Sequence, residues 1–305
     1  GDMHGADWMT LRESYRHYLS GINNNYDFAE MLNELLGELN VSHTAAIYSS
    51  KRRDVAVTAS LGVFYDQKYK GAGVKIDALI PGGPLEDAGM EINTGDIIEA
   101  INGETIEEDR DIAFYLNGKV DKQLTLRIRN GNNVKDCKVT AISPAEETDL
   151  LYRRWVQLNR EETEKQTNGE WGYVHLYRMN DAAYRSAYED ILGRYAHCKG
   201  IIVDTRFNRG GDLAPELVTF LSGIKLRSNT NDQFVTGIEP SFRWTKPSIV
   251  LAGEANYSDG QCFVYDYQTL HMGKLIGMPV PGSCTWMAGQ SLLDPTLSYS
   301  VPTLG

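Results

Sequence analysis

The sequence predicts a multidomain α/β protein: an N-terminal helical part, a central β-rich domain and a C-terminal α/β core. Three observations carry that expectation. Near the N-terminus apolar residues recur at three- and four-residue steps, the period of one helix face. Through the middle, short β-rich runs alternate with Gly, Pro, Asn and Asp turns. In the last part apolar strands alternate with helices, which implies βαβ crossovers around a largely parallel sheet. A chain of 305 residues exceeds one ordinary domain, and 42% hydrophobic against 23% charged residues is a balance that can bury a core.

Residues 1–60 begin with Trp8, Leu11, Tyr15 and Tyr18 on one helical face. Phe28, Met31, Leu32, Leu35, Leu36 and Leu39 repeat the pattern in a second helix. Thr44 to Ser50 then reads as a strand, which leaves Ser42 and His43 at a helix-to-strand junction, where side chains are often presented to a cleft. Residues 61–143 hold the β-rich domain. Residues 144–305 read as strand 173–177, helix 182–197, the apolar strand 200–207, helix 214–222, strand 247–253, a helix from about Ser258 and strand 274–280. Chemistry in such sheets gathers beyond the carboxyl ends of the strands.

Composition excludes several classes. Lys and Arg number 30 against 41 Asp and Glu, a net charge of −11 that argues against nucleic acid or an anionic membrane surface. No apolar run approaches the roughly 20 residues that span a bilayer. The opening GDMHGADWMT lacks the basic and apolar regions of a secretory signal, so the compartment stays open between cytoplasm and periplasm. Cys137, Cys198, Cys262 and Cys284 show neither CxxC pairing nor metal-ligand spacing and read as buried free thiols ahead of disulfides. The histidines His4, His17, His43, His175, His197 and His271 lack zinc spacing, so no metal and no cofactor is expected. His175 reads as a strand residue.

Three segments could carry chemistry. In Asn256-Tyr257-Ser258-Asp259-Gly260, directly after a strand and opening a helix, the Ser258 hydroxyl would lie near the positive helix end, with the next backbone N–H groups ready to hold an oxyanion. Alone, Ser-Asp-Gly is a helix-capping turn. In Asn208-Arg209-Gly210-Gly211 the paired glycines allow close approach of backbone N–H groups to a bound oxygen. Alone it is a loop, and no Lys or Ser/Thr follows in phosphate-loop spacing. In Ser42-His43 the imidazole could act as a general base with the serine orienting its other nitrogen; a lone histidine is more often structural.

The stretch GVKIDALIPGGPLEDAGMEINTGDIIEAINGETI (73–106) resembles a PDZ domain. That resemblance implies peptide binding by strand addition, with a terminal carboxylate held at Leu61, Gly62, Val63 and Phe64. A PDZ fold used as a spacer is the other reading. Taken in order, DMHGADWMTLRESYRHYL, LLGELNVSHT, the PDZ-like region, IIVDTRFNRGGDL and NYSDGQ resemble the tricorn protease core, within the wider clan of C-terminal processing peptidases. The resemblance implies a C-terminal core of the ClpP/crotonase type and a serine peptidase acting on peptides or unfolded polypeptides. In it Ser258 is the nucleophile, His43 the general base and Ser42 the preceding serine of the tetrad. Asp259 N–H supplies one oxyanion donor and Gly210, ahead of Gly211, the other. Aligning GSCTWMAGQ (282–290) with the Ser-Lys branch puts Ala288 where that branch has its lysine, and no lysine follows Lys274, so the Ser-His reading is favoured. The tetrad's glutamate has no counterpart among these residues, of which Asp294 is the last acidic one: either it lies beyond Gly305, with the core incomplete there, or the protein lacks it. The family's β-propellers also have no counterpart. In 221–237, where the family's specificity pocket lies, Asp232 reads as a solvated carboxylate ahead of a basic-residue attractor. The competing function is a catalytically impaired PDZ-containing peptide-binding protein. An acyl-CoA reaction on the same core is opposed by the PDZ-like region and by the lack of a basic cluster. Self-association is left open.

Overall fold

The computed structural model describes residues 5–49, 56–231 and 234–304. His4, Ser50 at the end of the expected first strand, and Asp232 lie outside the described residues. The chain divides into two compact units, one formed by residues 1–51 with 160–305 and the other by residues 52–159.

The first unit opens with helix α1 (Trp8–Tyr15), whose start is capped by the Asp7 carboxylate accepting from Thr10 N at 3.2 Å. The expected apolar face does not run on to Tyr18: the α-helix ends at Tyr15, a 3-10 segment Arg16–Gly21 follows, and α1 buries no residue. Helix α2 (Asn25–Gly37) begins where Asn24 Oδ1 accepts from Tyr26 N and Asp27 N at 2.8 and 3.0 Å. It buries Ala29 and Leu36. Beyond it Asn40, at φ 46°, turns the chain out of the helix and toward Ser42 and His43. Strand β1 (Ala45–Tyr48) follows.

The second unit is a six-stranded sheet. Its strands are β2 (Val63–Tyr65), β3 (Val74–Leu79), β4 (Ile97–Ile101), β5 (Glu104–Thr105), β6 (Gln123–Asn130) and β7 (Asn133–Thr140), with the short helix α3 (Ala113–Leu116) before β6. The order is β2-β3-β4-β6-β7, with β5 paired to β4, so β2 is an edge strand. Leu61, Ile76, Leu85, Ile98, Ile106, Leu124 and Leu126 form its core. Helix α4 (Pro144–Thr167) begins here on a reciprocal cap: Ser143 N donates to Glu146 Oε2 at 2.8 Å and Glu146 N to Ser143 Oγ at 3.2 Å. Sequence periodicity does not expose α4, because charged residues fall on nearly every turn and none of its residues is buried.

The first unit resumes with β8 (Trp171–His175), α5 (Asp181–Glu189), β9 (Gly200–Asp204), α6 (Ala214–Leu221), β10 (Arg227–Thr230), β11 (Val235–Glu239), β12 (Ser248–Ala252), α7 (Asp259–Thr269), β13 (Lys274–Gly277), β14 (Trp286–Ser291) and β15 (Leu297–Leu304). Strands β13-β12-β9-β8 form one parallel sheet in that order. Val174, Ile201, Val203, Val250, Phe263 and Tyr267 fill the core between sheet and helices. A second sheet, β1-β15-β14, joins the two ends of the unit: Ala45 pairs antiparallel with Ser300 and Tyr48 with Leu297. This pairing fastens the strand that follows His43 to the same body that carries Ser258. The 221–237 segment holds strands of the hairpin β10–β11.

Candidate active site

The parallel sheet sends two loops past its carboxyl edge, one after β9 and one after β12, and two buried asparagines tie them together. Asn208 donates from Nδ2 to Leu176 O at 2.7 Å, and its backbone carbonyl accepts from Tyr257 N at 2.9 Å. Asn256 donates to Thr205 Oγ1 at 2.9 Å and accepts from Gly253 N at 3.0 Å. Both side chains are fully buried, so each bond is made where water cannot replace it. Gly260 is required here, since a Cβ on it would stand 2.4 Å from Asn208 Oδ1.

This frame holds Ser258 at φ 53°, ψ −129°, a conformation that non-glycine residues rarely adopt, at the first step into α7. The strand–turn–helix setting is that of a nucleophile elbow, which lifts the serine hydroxyl off the sheet edge. The Ser258 N–H is taken by Ser283 Oγ at 3.1 Å. The next N–H, of Asp259, has no partner among the described residues. The Asp259 carboxylate is buried and accepts from Leu213 N and Ala214 N at 2.6 and 3.0 Å, capping α6. Burial raises its pKa, and the two N–H bonds oppose that rise.

The glycine pair faces the same spot. A Cβ on Gly210 would be 2.6 Å from Ser258 Cβ and 3.3 Å from Asp259 N. The sequence favoured Gly210 ahead of Gly211 as the second oxyanion donor, and the hydrogen bonds set the two apart. Gly210 N donates to Asn208 Oδ1 at 2.8 Å, which occupies it, whereas Gly211 N has no partner among the described residues. The bridge between Met179 and Gly211 uses Met179 N to Gly210 O (3.0 Å) and Asp212 N to Met179 O (2.9 Å), leaving the Gly211 N–H turned away from Met179.

His43, at φ 64°, stacks its ring on Tyr257 with centroids 4.5 Å apart and planes 26° from parallel. Its backbone N donates to Tyr257 Oη at 3.0 Å, and its carbonyl accepts from Ser300 Oγ at 3.0 Å. The residue beside the serine therefore fixes both backbone and ring of the histidine. Ser42 Oγ lies 2.9 Å from Nδ1, and Thr285 Oγ1 also lies 2.9 Å from it. With Nδ1 so engaged, Nε2 is the nitrogen left for proton transfer. No hydrogen bond joins Ser258 Oγ to the ring; such bonds often tighten only with substrate bound. Burial holds the imidazole below its ordinary pKa, which keeps it in the basic form at neutral pH.

Sequence reasoning missed Thr285, Ser283 and Tyr257. It also misjudged two thiols: Cys262 and Cys284 form a disulfide, while Cys137 and Cys198 are free and buried. Nothing in their 22-residue separation marks the pair. Ala288 lies on β14 opposite Val301, and His175 ends β8 with Nε2 against Arg206 O at 2.8 Å. No group of three or more His, Cys, Asp or Glu that could hold a metal occurs among the described residues. No helix among them is long and apolar enough to cross a membrane.

In the second unit the loop before β2 is already engaged. Gly62, at φ 69°, donates its N–H to Ser60 Oγ at 2.9 Å, and Ser60 donates in turn to the Glu147 carboxylate on α4. Leu61 and Val63 are buried, and Phe64 lies under the Arg154 guanidinium.

A serine on a strand-to-helix elbow, a histidine bound at Nδ1 by hydroxyls, and two open N–H groups make up the equipment of a serine-type hydrolase. Comparison with known proteins shows what the chain resembles. The profile of peptidase family S41 matches residues 170–303, that of the tricorn protease PDZ domain residues 70–144, and that of the tricorn protease C1 domain residues 1–37. Taken together, these matches make the chain similar to the tricorn-like serine peptidases of family S41. It is 28% identical over 286 residues to a tricorn-like protease C-terminal subunit of Sulfurisphaera tokodaii, covering 89% of this chain and 32% of that one. It is 25% identical to the tricorn protease of Thermoplasma volcanium over 94% of this chain and 28% of the other. A crystal structure of the tricorn protease superposes with a TM-score of 0.84 at 22% identity, over 96% of this chain and 29% of that one, which shows the tricorn-like fold. The chain thus spans about a third of the length of these relatives.

Proposed function

We propose that the chain hydrolyses peptides or unfolded polypeptides through an acyl-enzyme on Ser258, with His43 as general base. The observation that carries this reading is the elbow itself: Ser258 at φ 53°, next to the tyrosine on which the His43 ring stacks. His43 Nε2 takes the Ser258 Oγ proton as Oγ attacks the scissile carbonyl. The oxyanion is received by the N–H groups of Asp259 and Gly211. His43 then returns the proton to the departing amine, leaving an ester on Ser258. Water attacks that ester, giving a proton to His43; Oγ leaves, recovers the proton, and the acid product is released. Ser42 acts on Nδ1 and not on the substrate.

The test is labelling with a fluorophosphonate, which phosphonylates an activated serine with loss of fluoride. One adduct is expected, mapping to Ser258 and absent from Ser258→Ala. A folded chain that takes no adduct overturns the reading and leaves peptide binding without turnover.

For the PDZ-like unit we propose strand addition at the free edge of β2 without capture of a terminal carboxylate. The Gly62 N–H is taken by Ser60, and the Glu147 charge beside Ser60 would repel an incoming carboxylate. Peptides ending in a free carboxylate and in an amide are expected to bind within about threefold of each other, since no charge-assisted bond distinguishes them. Titration by fluorescence anisotropy reads this. Tighter binding of the free acid by tenfold or more would restore the 61–64 loop as the carboxylate site.

A further inference from the structure

Two hydroxyls, not one, reach the same nitrogen of His43. Ser42 Oγ and Thr285 Oγ1 each stand 2.9 Å from Nδ1 and 3.0 Å from one another, a closed triangle of one nitrogen and two oxygens. Ser42 is the chain neighbour of His43, and its hold on the ring is local. Thr285 comes from the loop between β13 and β14, and that loop is bolted to the nucleophile's helix. Cys284 is joined by a disulfide to Cys262, one turn into α7. Ser283 N and Ser283 Oγ both donate to Gln261 Oε1, at 2.5 and 3.1 Å, and Ser283 Oγ accepts from Ser258 N at 3.1 Å. Three consecutive residues thus do three jobs: Ser283 holds the backbone of the nucleophile, Cys284 ties the loop to α7, and Thr285 holds the base.

Resting on the reaction proposed above, we infer that Thr285 is a positioning residue for His43. It shares Nδ1 with Ser42 and is kept in place by the Cys262–Cys284 disulfide. The chemical reason lies in what a lone hydroxyl cannot do. A carboxylate only accepts, and so fixes the Nδ1–H tautomer; a hydroxyl can accept from Nδ1–H or donate to bare Nδ1, and therefore selects neither. With two hydroxyls 3.0 Å apart, the one that accepts from Nδ1–H can donate its own hydrogen to the other, so the imidazolium that forms meets an acceptor already in place with no hydroxyl hydrogen left unbonded. The groups packed on His43 are Tyr257 from the β12–α7 turn, Ser42, Thr285, and Ser300 of β15 on its carbonyl. Of these only the tyrosine carries an ionisable group. No carboxylate or cation is bonded to the ring among the described residues.

The experiment uses the full chain with its histidine rings labelled with 15N, read by 1H–15N correlation across pH and paired with peptide hydrolysis. Thr285→Val is expected to lower kcat by about 10- to 100-fold, the scale of one hydrogen bond to a group that becomes charged, with KM held within about threefold. Thr285→Ser, which keeps the hydroxyl, is expected to recover kcat to within about threefold of the unaltered chain. The His43 Nδ1 signal should shift in Thr285→Val, and its titration should move to lower pH because an acceptor that favoured the imidazolium has gone. Reducing the disulfide of the unaltered chain should move the same signal the same way, a measurement that does not depend on any variant folding. A His43 signal that is identical in the unaltered chain, in Thr285→Val and after reduction overturns the inference, whether or not the chain cleaves peptide. A signal that responds in a chain with no hydrolysis and no Ser258 adduct removes the proposed reaction and leaves the hold of Thr285 on His43 standing.

Discussion

Replacing Ser258 with alanine is expected to lower kcat by about 10⁵- to 10⁶-fold, His43→Ala by a similar factor, and the double variant by no more than either alone. The shared loss is the informative part. A nucleophile without its base, or a base without its nucleophile, leaves only the contribution of binding and of the oxyanion donors, so removing the second partner costs nothing further. Independent roles would instead multiply. The structure also sets what should not change. Ser258 Oγ bonds no group among the described residues, and alanine takes up the same φ 53° turn with no extra atoms to place. Melting of Ser258→Ala is therefore expected within a few degrees of the unaltered chain. His43→Ala gives up the ring stack on Tyr257 and the two Nδ1 contacts, so it should melt somewhat lower. Steady-state hydrolysis of a peptide ester, with circular dichroism melts of all three variants, reads both quantities. Additive losses in the double variant would separate Ser258 and His43 and withdraw the assignment of one to the other.

Much of the site was legible in the sequence because its parts sit where local patterns change. Ser258 follows an apolar strand and opens a helix, the glycine pair follows another strand, and Ser42-His43 separates a helix from a strand; each junction shows in a few consecutive residues. What could not be read are the couplings between distant segments. Thr285 meets His43 across 242 residues, and β1 pairs with β15 at the far end of the chain. The choice between Gly210 and Gly211 turns on one side-chain amide, because Asn208 Oδ1 takes the first N–H and leaves the second. The thiols misled because Cys262 lies on a helix face packed against the core and Cys284 in a loop, and their encounter depends on where the 282–285 turn is folded back. Helix α4 escaped because its inward stripe (Leu150, Leu151, Trp155) is only half-buried and is interleaved with charged residues, while its start is set by a reciprocal Ser143–Glu146 cap.

Gly211→Ala is expected to damage fold and reaction together, and the geometry separates the two effects. A Cβ at this position would stand 1.8 Å from Met179 O and 2.5 Å from Met179 C, at a φ of 152° that side-chain-bearing residues rarely adopt. Met179 cannot retreat cheaply, because it donates to Gly210 O and accepts from Asp212 N, holding the loop on both sides of the glycine. The backbone must give way, at a cost of roughly 2–4 kcal/mol, which lowers the melting temperature by about 5–15 °C in a unit of this size. The displaced group is the one whose N–H would receive the oxyanion. Measured well below the melting transition, kcat should fall by about 10²- to 10³-fold, the usual loss for one oxyanion donor, while KM changes little. Gly210→Ala supplies the contrast. Its N–H is already given to Asn208, so no donor is lost; the new Cβ instead presses on Ser258 Cβ at 2.6 Å and on Tyr257 O at 2.8 Å. That variant should lose fluorophosphonate labelling along with turnover, because the nucleophile itself is moved. Gly211→Ala should still label, more slowly, because the nucleophile and its base are left where they were. Full kcat in a folded Gly211→Ala chain would remove Gly211 from the oxyanion site and leave Asp259 N–H as the single donor.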